Sequence, residues 1–320
     1  MGAYVIRRLI YGVGVVLGVL FLLFVLFFTV TEPDDIARRA LGEKAPPEVI
    51  ETWKMNHGYD RPLWPWQDWD DNLLFDHYRR MLTFDFGLSD ADDSPIIDRV
   101  RAGMGPSLTL TVPLLFLGLF ASIPLSLLVA FFRETYIDRM GVFICVLAMS
   151  VSMLLYIIGA QFVIGKLLRW YPIAGFDPDP TMIARFLALP IIVGLISGIG
   201  ADVRFYRTVF IEESSRDFVR TARAKGASEA RIMAFHVLRN SLIPILTRVV
   251  LAIPFLFTGS ILLESFFGIP GLGSITVDAI NGNDFSTLRT MVFVGSLLFI
   301  LGQIATDLSY GLVDPRVRFE

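Results

Sequence analysis

The sequence has one cysteine, Cys145, and it lies inside an apolar run. That excludes an intrachain disulfide and leaves thiolate metal cages or dithiol redox chemistry nothing to build on. Histidine is almost as scarce. His57, His77 and His236 are scattered without the spacing of metal ligands. Neither HExxH nor GxSxG occurs, so the usual protease and hydrolase signatures are missing. The segment GAQFVIGKLL (159–168) imitates a phosphate loop but fails it. Five residues separate Gly159 from Gly165 where the motif needs about four, and Leu167 stands where Ser or Thr would hold magnesium. No catalytic residue, cofactor site or metal site is expected in this chain. Charge is thin as well, at 18% of residues, against roughly 25% in ordinary soluble domains.

Long apolar runs fill the space that charge leaves. Six segments, at 9–31, 106–132, 139–168, 186–206, 242–268 and 289–313, each approach the length a helix needs to cross a bilayer. The expected fold is an all-α polytopic membrane protein with six transmembrane helices. The first run, LIYGVGVVLGVLFLLFVLFFTV, follows Arg7 and Arg8. It exceeds the roughly 7–15 apolar residues of a signal-peptide core and reads as an uncleaved anchor.

Six spans place Arg7/Arg8, the turn FRETYIDR, the 204–241 loop and the tail DPRVRFE on one side. These segments are arginine-rich, so that side is cytoplasmic and holds both termini. Three units result: an N-terminal anchor helix (1–31), an extracytoplasmic loop domain (32–105), and a five-helix core (106–320) with a cytoplasmic loop at 207–241.

The 32–105 segment carries sixteen acidic and nine basic residues. It also holds Trp53, Trp64, Trp66 and Trp69, prolines at 46, 47, 62 and 65, and the run FDFGLSDADDSPIIDRV. A small folded cap, or amphipathic helices lying on the membrane, would suit such aromatic content. Trp64, Trp66 and Trp69 read either as a docking surface or as interfacial anchors and local core.

Carboxylates near the spans are Asp202, two residues before Arg204, Glu264 in SILLESFFGIPGLG, and Asp307 in IATDLSYG. A proton-coupled carrier would use such groups as relays. Their positions near span ends and a glycine-rich turn favour structural pairing or snorkelling instead. Lys166 can snorkel in the same way.

The most unusual element sits between two apolar runs. Residues 204–248 contain nine Lys/Arg and four Asp/Glu. IEESSRDFVRTARAK (211–225) opens with acids and closes with bases, the order that complements a helix dipole. Gly226 suits a left-handed C′ position. Ser228 is placed to cap a second helix with Glu229 in its first turn, continuing through ARIMAFHVLRNSLIP into the next span. Phe218, Ala222 and Lys225 fall on one stripe, which suggests a knob for a partner's groove.

RTARAKGASEARIMAFHVLRNSLIP resembles the cytoplasmic EAA loop of permease subunits in binding-protein-dependent ABC importers. More narrowly, the chain is similar to the oligopeptide/dipeptide/nickel permease family, in the branch with a long outer loop after the first span. YVIRRLI, YDRPLWPW, FDFGLSDADDSPIIDRVRAGMGPSLTLTVPL, ESFFGIPGLGSITVDAINGNDFSTL and LVDPRVRF agree in order. Arg220-Thr221-Ala222 stands where the general motif has Glu-Ala-Ala, and the motif's later Leu-Pro is displaced to Pro244.

The resemblance implies a type I ABC importer permease fold in the bacterial cytoplasmic (inner) membrane. It implies a second homologous permease subunit, two ATPase subunits that supply ATP and Mg chemistry, and an extracytoplasmic substrate-binding protein. It implies no nucleic-acid partner. The ATPase-coupling residues would be Asp217, Phe218, Arg220, Thr221, Ala222, Arg223, Ala224, Lys225, Gly226, Ala227, Ser228 and Glu229. The binding protein would dock on 32–105, Trp64, Trp66 and Trp69 included. Family cargoes are di- and oligopeptides, nickel chelates or glycosides, and peptide is the expectation here. Two other readings are an ion-coupled carrier using Glu264 or Asp307, and an ATP-driven exporter.

Overall fold

The computed structural model describes residues 2–29, 33–42, 44–57, 59–69, 71–258 and 260–313. Its elements are helical. In chain order they are α1 (Gly2–Phe24), with a π-helical extension Val25–Thr29, then α2 (Pro33–Leu41), α3 (Pro47–His57) and α4 (Leu73–Leu82). Next come α5 (Ile96–Phe131), α6 (Tyr136–Ser150), α7 (Met153–Ala160) with a π segment Gln161–Leu167, and α8 (Ile183–Ser214). After α9 (Asp217–Ala224) follow α10 (Glu229–Arg231), a π segment Ile232–Val237, and α11 (Leu238–Asn240). The chain closes with α12 (Leu242–Thr258), α13 (Ile261–Phe267), α14 (Leu272–Asn281) and α15 (Phe285–Val313).

Four stretches, Ile6–Thr29, Ile96–Phe131, Ile183–Ser214 and Phe285–Ala305, are long and apolar enough to cross a membrane. Three bent pairs raise the count to as many as seven among the described residues. The expected straight span 139–168 is one of them, since α6 and the α7 segment meet at 86°. Two serines account for the break. Ser150 Oγ donates back to the Val146 carbonyl (2.8 Å), while Ser152 accepts the Leu155 amide (3.4 Å) and starts a new helix.

The expected 242–268 span also ends early. α12 stops at Thr258, Ser260 is extended, and α13 and α14 form a separate pair bent by 77°. At the outer boundary the difference runs the other way. α5 begins at Ile96 rather than 106, because Pro95 takes the extended capping position and Asp98 occupies the first turn.

Segment 33–95 does not form its own core. Leu20, Phe24, Phe27 and Phe28 from the end of α1 are buried with Ile36, Ile50, Tyr59, Met81, Phe86, Ile96 and Phe293. Each large apolar side chain so buried contributes about 1.5–3 kcal/mol. Side chains of α4 also grip the backbone of α1. His77 Nε2 donates to the Leu20 carbonyl (3.1 Å) and Tyr78 OH to Leu17 (2.9 Å). A middle core joins Leu110, Ile157, Leu189, Val193, Leu263 and Phe267. A third core, at the far end of α8, underlies the polar corner.

Candidate functional site

The expected helix over 211–225 is two helices. Ser214 Oγ and Ser215 Oγ donate to the Ile211 and Glu212 carbonyls (both 2.7 Å), which ends α8. Arg216 is extended, and α9 starts at Asp217. Its C-terminus is a Schellman turn. Gly226 has φ +82°, its amide reaches the Arg223 carbonyl (3.0 Å), and the Ala227 amide reaches Ala222 (3.2 Å).

Ser228 takes the extended N-cap conformation, yet its side chain makes no capping bond. The corner is clamped differently, by Arg223 donating to both Glu229 oxygens (2.6 and 2.9 Å) across Gly226. Hydrogen bonding to Arg223 holds the Glu229 carboxyl below its ordinary range. The second helix does not run straight into α12 as expected. It bends by 50° at Ser241, whose hydroxyl donates to the Val237 carbonyl (2.9 Å).

The Phe218–Ala222–Lys225 stripe is split, with Lys225 exposed and the other two turned inward. Ala222 and its neighbour Val219 are buried with Tyr206, Phe210, Ile232 and Val237, and Phe218 packs on the same cluster. A small residue there lets α9 pack on its own π segment Ile232–Val237, in the cluster it shares with Tyr206 and Phe210 of α8. The outward face is polar instead. Asp217 and Arg220 side chains are 97% and 78% exposed, with Thr221, Ala224, Lys225 and Gly226 also open. Beside them Phe235, 68% exposed, borders a crevice with Lys225, Arg231 and His236. Sequence reasoning passed over Phe235, although an aromatic between cations on a polar loop was the available signal.

α8 and α12, the helices on either side of this corner, also line a cavity. It has a volume of about 580 Å³ between α5, α8 and α12, with mostly apolar walls. Asp202, Tyr206 and Arg248 form its end nearest the corner. Asp202 pairs with Arg248 and not with the nearby Arg204. Arg248 Nε and Nη2 lie 3.0 and 2.8 Å from Asp202 Oδ1, and the guanidinium stacks 4.8 Å from the Phe205 ring centre. Residues two apart on a helix do not face each other.

Glu264 is fully buried at the junction of α13, α14 and α5. It accepts from Ser107 Oγ (2.9 Å) and from the amides of Gly273 (2.7 Å), Ser274 (3.3 Å) and Ser260 (3.2 Å). Such a carboxylate holds elements together and has no free lone pair aimed at a path. The side chain of Asp307 lies outside the described residues.

The tryptophans divide. Trp53 is buried against Tyr59. Trp64 packs edge-on to Phe24 and stacks on Trp66 at 4.8 Å. Trp66 and Trp69 are 75% and 72% exposed. Among the described residues no group of His, Cys, Asp or Glu is arranged to hold a metal ion.

Long apolar helices, shared cores and a corner that turns charge outward define a helical membrane protein. Residues 122–319 match the family described as binding-protein-dependent transport system inner membrane component, and residues 1–100 match its N-terminal membrane component. The chain belongs to this family. It is similar to the glutathione transport system permease protein GsiC of Escherichia coli (strain K12), 32% identical over 328 residues that cover 99% of each chain. The GsiC proteins of Shigella boydii and Salmonella typhimurium are 32% and 31% identical, again over 99% of each chain. The chain is thus a permease subunit of a binding-protein-dependent ABC importer.

Proposed function

We propose that this chain forms half of the translocation pathway of an ATP-driven importer for di- or oligopeptides. A second homologous permease completes the pathway, and two partner ATPases bind Mg and ATP and hydrolyse it. A binding protein delivers cargo to the outer face. The observation that carries this reading is the α9–Gly226 corner. Its inner face shares a core with α8, its chain runs on into α12, and α8 and α12 both wall the cavity. A push on the exposed face of α9 therefore reaches the cavity walls through packed side chains.

In this reading six spans are formed by α1, α5, the bent α6–α7 pair, α8, α12 and α15. The α13–α14 hairpin packs at the outer end. The corner and both termini are cytoplasmic, in the inner membrane of a bacterium. Segment 32–105 and its exposed Trp66 and Trp69 meet the binding protein, and 106–320 is the pathway core. The peptide assignment draws support from the glutathione-transport relatives.

Purification of the chain from its native membrane in mild detergent tests the assembly. Co-purification of two ATPases and a second permease is expected. Recovery of this chain alone, still competent for uptake in liposomes without ATP, would overturn the reading.

A further inference from the structure

Asp202 and Arg248 are the charged residues in the wall of an otherwise largely apolar cavity, and they meet at its corner-side end. They come from different helices. Asp202 lies about 18 Å along α8 from its end at Ser214. Arg248 lies in the second turn of α12. The chain joins both helices to the α9–Gly226 corner, through the breaks at Ser214–Arg216 and Ser241, so a displacement of the corner is passed to the ends of the helices that carry the pair.

We infer that the Asp202–Arg248 ion pair is the latch that closes the floor of the cavity, and that each transport cycle breaks and remakes it. This rests on the importer reading above. Both side chains keep a share of solvent, 42% for Arg248 and 32% for Asp202, so the pair breaks and re-forms at modest cost instead of holding permanently. Phe205 already stacks under the Arg248 guanidinium, so the cation keeps a partner when Asp202 withdraws. The rest of the wall is largely apolar, with Leu195, Ile199, Leu251 and Leu256. Cargo is thus free to slide over every surface except the floor, which stays shut until the corner moves. Asp202 and Arg248 act as positioning residues that tie opening of the path to the ATPases.

The full complex in liposomes, with binding protein and ATPases, supplies the test. Asp202→Asn and Arg248→Gln each weaken the closed floor. The stimulation of ATP hydrolysis by loaded binding protein should fall roughly 5-fold or more, through a raised unstimulated rate. The exchange Asp202→Arg with Arg248→Asp should restore coupling, which a merely structural loss would not allow.

A second measurement does not depend on the folding of these variants. In a Cys145→Ala background, Asp202→Cys and Arg248→Cys are bridged by a short, reducible bis-thiol reagent. Uptake should stop on bridging and return on reduction. A bridged complex that imports at the unbridged rate overturns the latch, as does an exchanged pair no better coupled than the single variants. A wild-type complex that hydrolyses ATP without import overturns the importer reading, and the latch with it.

Discussion

The carboxylate of Asp284 accepts the backbone amide of Asp90 at 3.1 Å, while the carboxylate of Asp90 accepts the amide of Ser286, two residues beyond Asp284, at 2.7 Å. Each aspartate thus binds the other's strand of chain. Asp284 also caps α15 through the Thr287 amide (3.0 Å) and receives Ser89 Oγ (2.6 Å). Ser286 Oγ adds a bond to Asp90 (2.8 Å). Both aspartates are buried, and burial pushes the Asp90 carboxyl above its usual range. The outer segment is in this way fastened to the start of the last long helix.

Asp284→Ala should therefore detach the outer segment before anything else. The substitution removes a cap and leaves buried donors unpaired, a loss of about 3 kcal/mol. Limited proteolysis should cut residues 84–95 faster in the variant, with the 215–230 corner cut at the wild-type rate. Equal protection of 84–95 in both proteins would show that the apolar packing on Phe24 and Phe28 suffices to hold it.

Glu264 gives the clearest separation between a structural carboxylate and a proton relay. Its four donors converge on both oxygens. Glu264→Gln would turn an amide NH2 toward backbone N–H groups, so it should destabilise nearly as much as Glu264→Ala, by about 2–4 kcal/mol. Gly271→Ala should fail in the same way, because its Cβ would overlap the Glu264 carboxylate and Ser107 Oγ. Thermal unfolding in detergent reads all three. A Gln variant with wild-type stability but no uptake would point to proton chemistry instead.

What could be read from the sequence was local. Gly226 advertised a left-handed turn, and the acid-to-base order of 211–225 advertised helix there. The turn and its place between two apolar helices are as expected. Periodicity put Phe218 and Ala222 on one stripe but could not say which side the Ile232–Val237 segment would cover. Four helix breaks lie at serines, at 150–152, 214–215, 241 and 260, inside apolar or mixed runs that hydropathy averages over. Long-range pairings were out of reach. Asp90 and Asp284 stand 194 residues apart, and Asp202 takes a partner 46 residues on rather than the cation beside it.

Acid should loosen the outer segment through His77. Its Nε2 is committed to the Leu20 carbonyl, while Nδ1 is buried without a partner among the described residues. Burial, with Arg289 nearby, lowers its pKa from 6.5 to about 3. The folded state holds His77 neutral and the unfolded state protonates first. Stability from this group is complete above pH 6.5 and is lost progressively as pH falls from there toward 3. At pH 5 the loss amounts to about 2 kcal/mol. Asp90, raised by burial, works in the opposite direction. His77→Gln should flatten the fall in unfolding midpoint between pH 7 and pH 5. An unchanged slope would mean that His77 is charged in the folded protein.

Gly226 allows backbone strain to be separated from contact with a partner. Its φ is +82°, and an added Cβ would meet no atom within 4 Å. Gly226→Ala therefore carries only the left-handed penalty, about 1–2 kcal/mol, and should leave the chain in the membrane with uptake largely intact. Gly226→Trp bears the same backbone penalty and adds a bulky ring on the exposed side of the corner, next to Lys225 and Phe235. If that side seats in an ATPase groove, uptake should fall roughly tenfold or more relative to Ala. The chain should remain at normal abundance, and ATP hydrolysis should no longer respond to loaded binding protein. Uptake in vesicles containing the whole complex, normalised to the amount of this subunit, decides it. A Trp variant that imports as well as the Ala variant would move the contact away from Gly226, toward the Asp217–Arg220 end of α9.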